Sequence, residues 1–407
     1  MLTPNKYLPA SMLGIAFLSQ NVATGLTFGC FGLLIEPLTR DLQGSRSVIS
    51  LAIALILLTN GVLSPLVGRW VDRWSLRGTM LIGASSGAVG FYLASQATSP
   101  SVFLFSFGLL VGIGFAMVGV IPPNKIAALW FPRHFGRASG ITNLPMATAL
   151  LPPLFAYAIG HLGWRALLQG FALVYIILFG LILLLRMPSV EASTESVKNS
   201  VAAMKSAPYR TQIFWVLSLL IGMVTTSGIV ASTHIVAYAQ SQGIAVAEAS
   251  LLVSIFGIFS VLGAAFYGWF CDRFSAPAAL TLICLCGAIL WLLLGTQHVF
   301  IGIAAIVAGL GLGGGGLLPT MAALLSRAFG SAQLGSALGQ MSLAILPFTF
   351  VAAPLVGWCY DRFGNYRGAF VLEAALCATS LLLVLLLRKK MNPQNSDSNA
   401  AIDKVAC

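Results

Sequence analysis

From Val48 to Val67, and again from Met80 to Ala97, the chain contains no Asp, Glu, Lys or Arg. A helix needs about 20 apolar residues to cross a bilayer, and backbone inside lipid must satisfy its own hydrogen bonds. Between the two runs lies a short charged knot, Gly68-Arg69-Trp70-Val71-Asp72-Arg73-Trp74-Ser75-Leu76-Arg77. It reads as the tight turn between two membrane-crossing helices. The same corner is written again as Gly268-Trp269-Phe270-Cys271-Asp272-Arg273-Phe274. The repeat predicts two copies of one plan.

Only 8% of the residues are charged and 58% are hydrophobic, where a soluble domain carries about 25% charged. The apolar runs are continuous and lack the alternation of an outer-membrane barrel, so the expected class is an all-α polytopic membrane protein. A formal net charge of +11 does not point to nucleic acid, because its placement follows the loops. When loops are taken alternately, Arg40, Arg46, Arg165, Arg362 and Arg367 fall on one side. The remaining 17 of the 22 Lys and Arg fall on the other. The positive-inside rule then places both termini and the central loop in the cytoplasm, in a cytoplasmic (inner) membrane. The first apolar span follows one Lys without a clear small-residue cleavage site, so it reads as a retained helix. The seven cysteines form no zinc or disulfide pattern and read as small apolar fillers; no metal and no cofactor is expected.

About twelve spans are expected, at roughly 12–37, 48–67, 79–97, 101–124, 137–160, 165–186, 211–238, 247–270, 278–296, 299–322, 333–357 and 367–388. Residues 1–187 make one six-helix bundle and 211–391 the other. The polar stretch 188–210 reads as a cytoplasmic linker, and 392–407 as a disordered cytoplasmic tail. Gly112, Gly114, Gly119 and Pro122 of the fourth span recur at one common offset as Gly309, Gly311, Gly316 and Pro319 of the tenth. Two six-helix halves related in this way suit alternating access, with a site between them near the midplane. The run Gly313–Gly316 falls inside a span rather than after a soluble strand, so it reads as close helix packing or a bending point, not a phosphate loop.

Gly68-x-x-x-Asp72-Arg73-x-x-x-Arg77 resembles the signature between helices two and three of the major facilitator superfamily, with Ser75 where a second Gly is usual. Finer features are similar to the monocarboxylate-transporter and oxalate–formate-antiporter branch. They are Phe28-Gly29-Cys30-Phe31-Gly32 with Gly44-Ser45-Arg46-Ser47, Trp130-Phe131-Pro132 with Gly136-Arg137-Ala138-Ser139-Gly140, and His234-Ile235-Val236-Ala237-Tyr238-Ala239. The resemblance implies two pseudo-symmetric bundles. In that branch an Arg of helix eight commonly pairs with the substrate carboxylate. Here that position is Ala264, with Ser260 one turn earlier, and 339–358 of helix eleven carries no charge.

Ionisable groups within spans are costly and therefore candidates for function. They are Glu36, Lys125, His234 and Glu373. Glu36 reads as an interfacial or proton-coupling carboxylate, Lys125 as a snorkelling or cavity-facing cation, and Glu373 as structural. His234, with Tyr238 one turn on, reads either as a substrate or proton ligand or as a structural hydrogen-bonder. The resemblance places helix seven at the cavity. Thr24, Phe28, Met117, Asn143, Met146 and Gln340 complete the candidate substrate site, each with neighbouring helices as the alternative partner. Pro145, Pro152, Pro153, Pro347 and Pro354 should let helices five and eleven bend. Asp72, Arg73, Arg77, Asp272 and Arg273 are expected to gate, the carboxylates facing helix N-termini of the other half.

The expected function is secondary transport of a small organic solute, a monocarboxylate or aromatic organic acid, driven by protons or by exchange, with a monomer as the working unit. Efflux of a hydrophobic or amphiphilic compound is the alternative. A membrane sensor or scaffold is the alternative of another class. No nucleophile–base pair or ATP motif supports an enzyme.

Overall fold

Hydroxyl side chains set the starts of the apolar helices. Ser45, Ser75, Ser99, Thr211 and Ser275 each accept a hydrogen bond from a backbone N–H three residues on, at 2.9–3.4 Å. Such caps satisfy first-turn donors that would otherwise be orphaned. In a computed structural model the described residues are 8–131, 135–186, 208–329 and 334–391. The expected tail, nearly all of the expected linker, Pro132 and the side chains of Asp72, Arg73 and Arg137 lie outside the described set.

The first half contains α1 (Leu8–Asp41), α2 (Arg46–Arg73), α3 (Leu76–Ser95), α4 (Pro100–Trp130), α5 (135–162) and α6 (164–183). The second contains α7 (Gln212–Ser241), α8 (Val246–Arg273), α9 (Ala276–Leu294), α10 (Phe300–Phe329), α11 (334–363) and α12 (Arg367–Met391). Among the described residues, ten helical stretches are long and apolar enough to span a bilayer. One of these, Ala138–Leu183, is two helices. Gly163 has φ +81°, which favours glycine. Phe155 and Phe171 meet with ring centroids 5.0 Å apart, whereas 16 residues of straight helix would cover about 24 Å. The chain therefore turns back at Gly163. With the 20-residue α3, the expected twelve helices are present.

Breaks appear where proline removes a donor. The fifth helix is in pieces, Phe135–Thr142, Met146–Leu150 and a third beginning at Pro152. Beyond Pro145, the backbone N–H of Ala147 donates to Asn21 Oδ1 on α1 at 2.8 Å. The eleventh helix breaks at Ile345, just before Pro347. Pro354 remains within a continuous helix.

The two halves repeat in sequence more closely than in packing. Residues Leu104–Val111 of α4 form a π-helix, and α4 breaks at Gly119, whereas α10 runs unbroken from Phe300 to Phe329. A π-turn is wider than an α-turn and rotates the helix beyond it. Accordingly Gly112 faces Thr59 of α2, while its sequence mate Gly309 faces Leu290 of α9. The run Gly313–Gly316 serves close packing: a β-carbon on Gly315 would fall on the Ser260 carbonyl of α8, and one on Gly316 on the Tyr267 ring.

The apolar core is shared at one end of the bundle only. One buried cluster runs through the first half and continues into 230–239, 249–253 and 352–377 of the second. The other, including Phe214, Leu280, Leu325 and Met341, draws on the second half alone. The shared end carries the 42–45 and 364–366 connections. The separate end carries the corners at 74–75 and 274–275.

Candidate functional site

The junction at the shared end is built around a glycine. A β-carbon on Gly357 of α11 would stand 2.7 Å from the Ser47 backbone nitrogen, so only glycine lets α11 meet the first turn of α2. One turn further along the same face is Asp361. Its carboxylate accepts from the backbone N–H of Arg46 at 3.1 Å and of Ser47 at 2.9 Å. An acidic group at a helix N-terminus is favoured by both the free N–H groups and the helix dipole.

The Arg46 side chain completes the junction. Nη1 donates to Tyr366 Oη at 2.7 Å and Nη2 to Glu36 Oε2 at 2.6 Å, while the guanidinium lies 3.8 Å over the Tyr360 ring. Its side chain is 9% exposed, against 46% for Glu36. Arg46, read from the sequence as a loop charge, is thus a buried cation held by both halves. Glu36 is fixed by this ion pair.

His234 lies beneath, 1% exposed. Nε2 is 2.9 Å from the Ala353 carbonyl and 3.4 Å from Ser50 Oγ of the first half. With a carbonyl facing Nε2, the neutral ring carries its proton there. Nδ1 has no partner among the described residues. Gly32 makes room for this meeting, since a β-carbon there would be 3.0 Å from the Thr233 carbonyl. Tyr238 sits a turn on with its hydroxyl 2.7 Å from the Leu294 carbonyl, its ring packed on Tyr366 and Phe370. His234 and Tyr238 therefore belong to a seam between helices rather than to an open cavity.

At the opposite end the described charged side chains of the corners are exposed. Gly68 and Gly268 have open space where a β-carbon would go, and Arg77, Asp272 and Arg273 are exposed. Among the described residues the ion pairs are Arg40–Asp41 and Arg46–Glu36, so neither Arg77 nor Arg273 is paired. A carboxylate on a facing helix N-terminus, the kind of contact expected of the corners, is present at the shared end through Asp361. A sequence signal for it exists. Gly357-Trp358-Cys359-Tyr360-Asp361-Arg362-Phe363 shares Gly, Trp, Asp, Arg and Phe in register with Gly268–Phe274. It is a third copy of the corner.

The remaining candidates do not converge. Thr24 Oγ1 donates to the Gln20 carbonyl of its own helix at 2.8 Å, and Phe28 lies edge-on to Phe115 at 5.7 Å. Met146 is exposed at the α5 break. Asn143 donates to Asn124 Oδ1 at 2.9 Å between α4 and α5, and Met117 is buried against Gly83 of α3. Gln340 accepts from the Tyr209 backbone at 3.2 Å at the corner end. Lys125 is half-buried on α4. Ser260 donates to its own helix at 2.7 Å, and Ala264 is exposed.

Comparison with known proteins agrees with this architecture. The family model described as Major Facilitator Superfamily matches residues 17–243 and 219–406. The MFS-type transporter YcxA of Bacillus subtilis (strain 168) is 27% identical over 334 residues, 76% of this chain and 78% of that one. Monocarboxylate transporter 13 of Bos taurus is 27% identical over 329 residues, 79% and 76% of the two chains. Among solved structures, the nucleoside transporter NupG superposes with a TM-score of 0.73 at 14% identity, covering 94% of this chain and 99% of its own. The D-xylose-proton symporter does so with a TM-score of 0.71 at 15% identity, covering 92% and 97%. With a match across both halves, the chain belongs to the major facilitator superfamily.

Proposed function

We propose that this chain is a secondary transporter that moves a small organic acid, a monocarboxylate or an aromatic acid, across the inner membrane by alternating access. The observation that carries the reading is the asymmetry of the halves. They are joined at one end through Gly357, Asp361, Arg46 and His234 and have separate cores at the other, where the described corner side chains Arg77, Asp272 and Arg273 are exposed. That is one of the two states an alternating-access cycle requires. With the basic loops cytoplasmic, it is the state open to the inside, both termini lie in the cytoplasm, and the Arg46 seam is the outer gate.

The substrate class rests on the similarity to proteins named monocarboxylate transporters. The drive is a proton gradient or an exchanged solute. Two of the intramembrane groups the sequence offers for coupling, Glu36 and His234, stand in the gate, where they hold the halves together.

Uptake of labelled organic acids and neutral amphiphiles into proteoliposomes, with and without an inward proton gradient, tests the reading. Gradient-driven accumulation of an acid is the expected result. Movement of hydrophobic or neutral compounds with no acid accepted would overturn it in favour of efflux.

A further inference from the structure

One intramembrane acid takes no part in the gate. Glu373 lies on α12, 2% exposed, and no ion pair among the described residues includes it. Facing it is Thr226 of α7, whose Oγ1 is 2.8 Å from Glu373 Oε2. That same oxygen is 2.7 Å from the Met223 carbonyl.

Thr226 has one proton and two acceptors in reach. If Glu373 is the acid, its O–H donates to Thr226 Oγ1, and Thr226 donates to the Met223 carbonyl, so both contacts are filled. If Glu373 is ionised, the hydroxyl turns to the carboxylate and Met223 keeps only the bond of its own helix. The pair is therefore a two-state device switched by a single proton. An ionised carboxylate in such surroundings is costly without a cation or water.

The elements around the pair supply no cation. Between Gln212 and Ser241, α7 carries no Asp, Glu, Lys or Arg, with His234 two turns beyond Thr226, and α9 carries no charge at all. Apart from Glu373 itself, the charged residues of α10, α11 and α12 sit at their ends. The nearby titratable groups are thiols, Cys377 a turn further along α12 and Cys284 on α9, both buried.

Water has a route. A cavity of about 200 Å³ lies within the second half, between α7, α9, α10 and α12. Cys377, a turn beyond Glu373, lines it, as do Thr225, Ser227, Gly287 and Gly313; Thr226 and Glu373 themselves do not. Water occupies about 30 Å³ per molecule in the liquid, so the space holds several. The neighbouring Trp291 Nε1 is already committed to Ser227 Oγ at 2.6 Å.

We propose that Glu373 is the group that binds the coupling proton, with Thr226 as the hydroxyl that reorients to match its charge and the nearby cavity as its path to water. The inference rests on the proton-coupled transport reading above. On unloading, the carboxyl O–H bond breaks, the proton passes to water in the cavity, and the Thr226 hydroxyl turns from the Met223 carbonyl to the carboxylate. Loading reverses each step. The helix that carries Thr226 also carries His234, so charge at Glu373 acts on the same rigid element that closes the gate.

Two measurements on the full-length reconstituted protein test this. By infrared spectroscopy, the wild type at neutral pH should show a carboxylic-acid carbonyl band, shifted in heavy water, that is absent from Glu373→Gln. In proteoliposomes, Glu373→Gln should lose gradient-driven accumulation of labelled benzoate. Thr226→Ser should keep accumulation and Thr226→Val should impair it, a distinction that helix packing alone would not make. Accumulation by Glu373→Gln at the wild-type level, or no acid band removed by that substitution, would overturn the inference. If the wild type accumulates none of a panel of organic acids, the transport reading fails instead, and the infrared band alone decides whether Glu373 holds a proton.

Discussion

Gly357 lies so close to Ser47 that a β-carbon on the glycine would stand 2.7 Å from the serine's backbone nitrogen. The contact brings α11 against the first turn of α2, and Asp361 then takes two of that turn's N–H groups. Substitution to Ala forces backbone apart, because no flexible side chain can yield, and overpacking of this kind costs about 1–3 kcal/mol. Since about 1.4 kcal/mol is a factor of ten in an equilibrium, Gly357→Ala should raise the open fraction of this end by about tenfold. Labelling of Ser50→Cys by an impermeant thiol reagent, in a background without native cysteines, measures it. Unchanged labelling would remove Gly357 from the gate.

Asp361→Asn keeps the shape and loses the charge at the helix N-terminus, an interaction worth about 0.3–1 kcal/mol. Exchange across the membrane should slow, while solute affinity measured from the corner side stays as in the wild type. Loss of that affinity with normal exchange would contradict the gating role.

Arg46 and Glu36 should behave as a pair. Arg46→Gln leaves Glu36 without its cation and should slow transport more than Glu36→Gln does, because Glu36 is half-exposed and can be hydrated. The double substitution should be less severe than the sum of the two singles, with a coupling of about 0.5–3 kcal/mol. Strict additivity of the transport rates would show that the 2.6 Å contact does not act in the cycle.

His234→Ala removes a contact across the gate but leaves the proton carrier at Glu373 in place. The expected outcome is slower transport with the wild-type pH profile. A profile that flattens would move coupling from Glu373 to His234.

Within the run Gly313–Gly316, neighbours should differ in what they tolerate. A β-carbon on Gly313 would meet only Ile283 at 3.8 Å, but one on Gly315 would overlap the Ser260 carbonyl. Gly313→Ala should leave the thermal midpoint unchanged. Gly315→Ala should lower it or prevent accumulation of folded protein, measured by size-exclusion chromatography with heating. Equal midpoints would mean that α8 and α10 are not in backbone contact at this glycine.

Hydropathy alone located the spans, because each helix in lipid must be apolar over its own length. Short-range chemistry was equally legible. The corners are turns capped by Ser75 and Ser275, and Pro145, Pro152 and Pro347 mark breaks in the helices that carry them. The third corner copy at Gly357–Phe363 was written in the sequence too, at the C-terminal end of its helix like the first two but at the opposite end of the bundle, where a topological reading does not look for it. The candidate solute-binding residues were less legible. Thr24, Asn143, Met117 and Gln340 each answer to a different neighbour, and polarity within a span does not say which face of the helix bears it.

Patterns that run along the chain were enough to set the twelve helices, the two halves and the family. It took the packing of those helices to bury Arg46 in a seam between the halves, to bring His234 to Ser50 across it, and to bring Glu373 to Thr226 inside the second half. Those pairings depend on which helix faces press together and at which end the halves touch. A change of a few kilocalories per mole between two packings can alter them without altering any residue, so no local pattern encodes them.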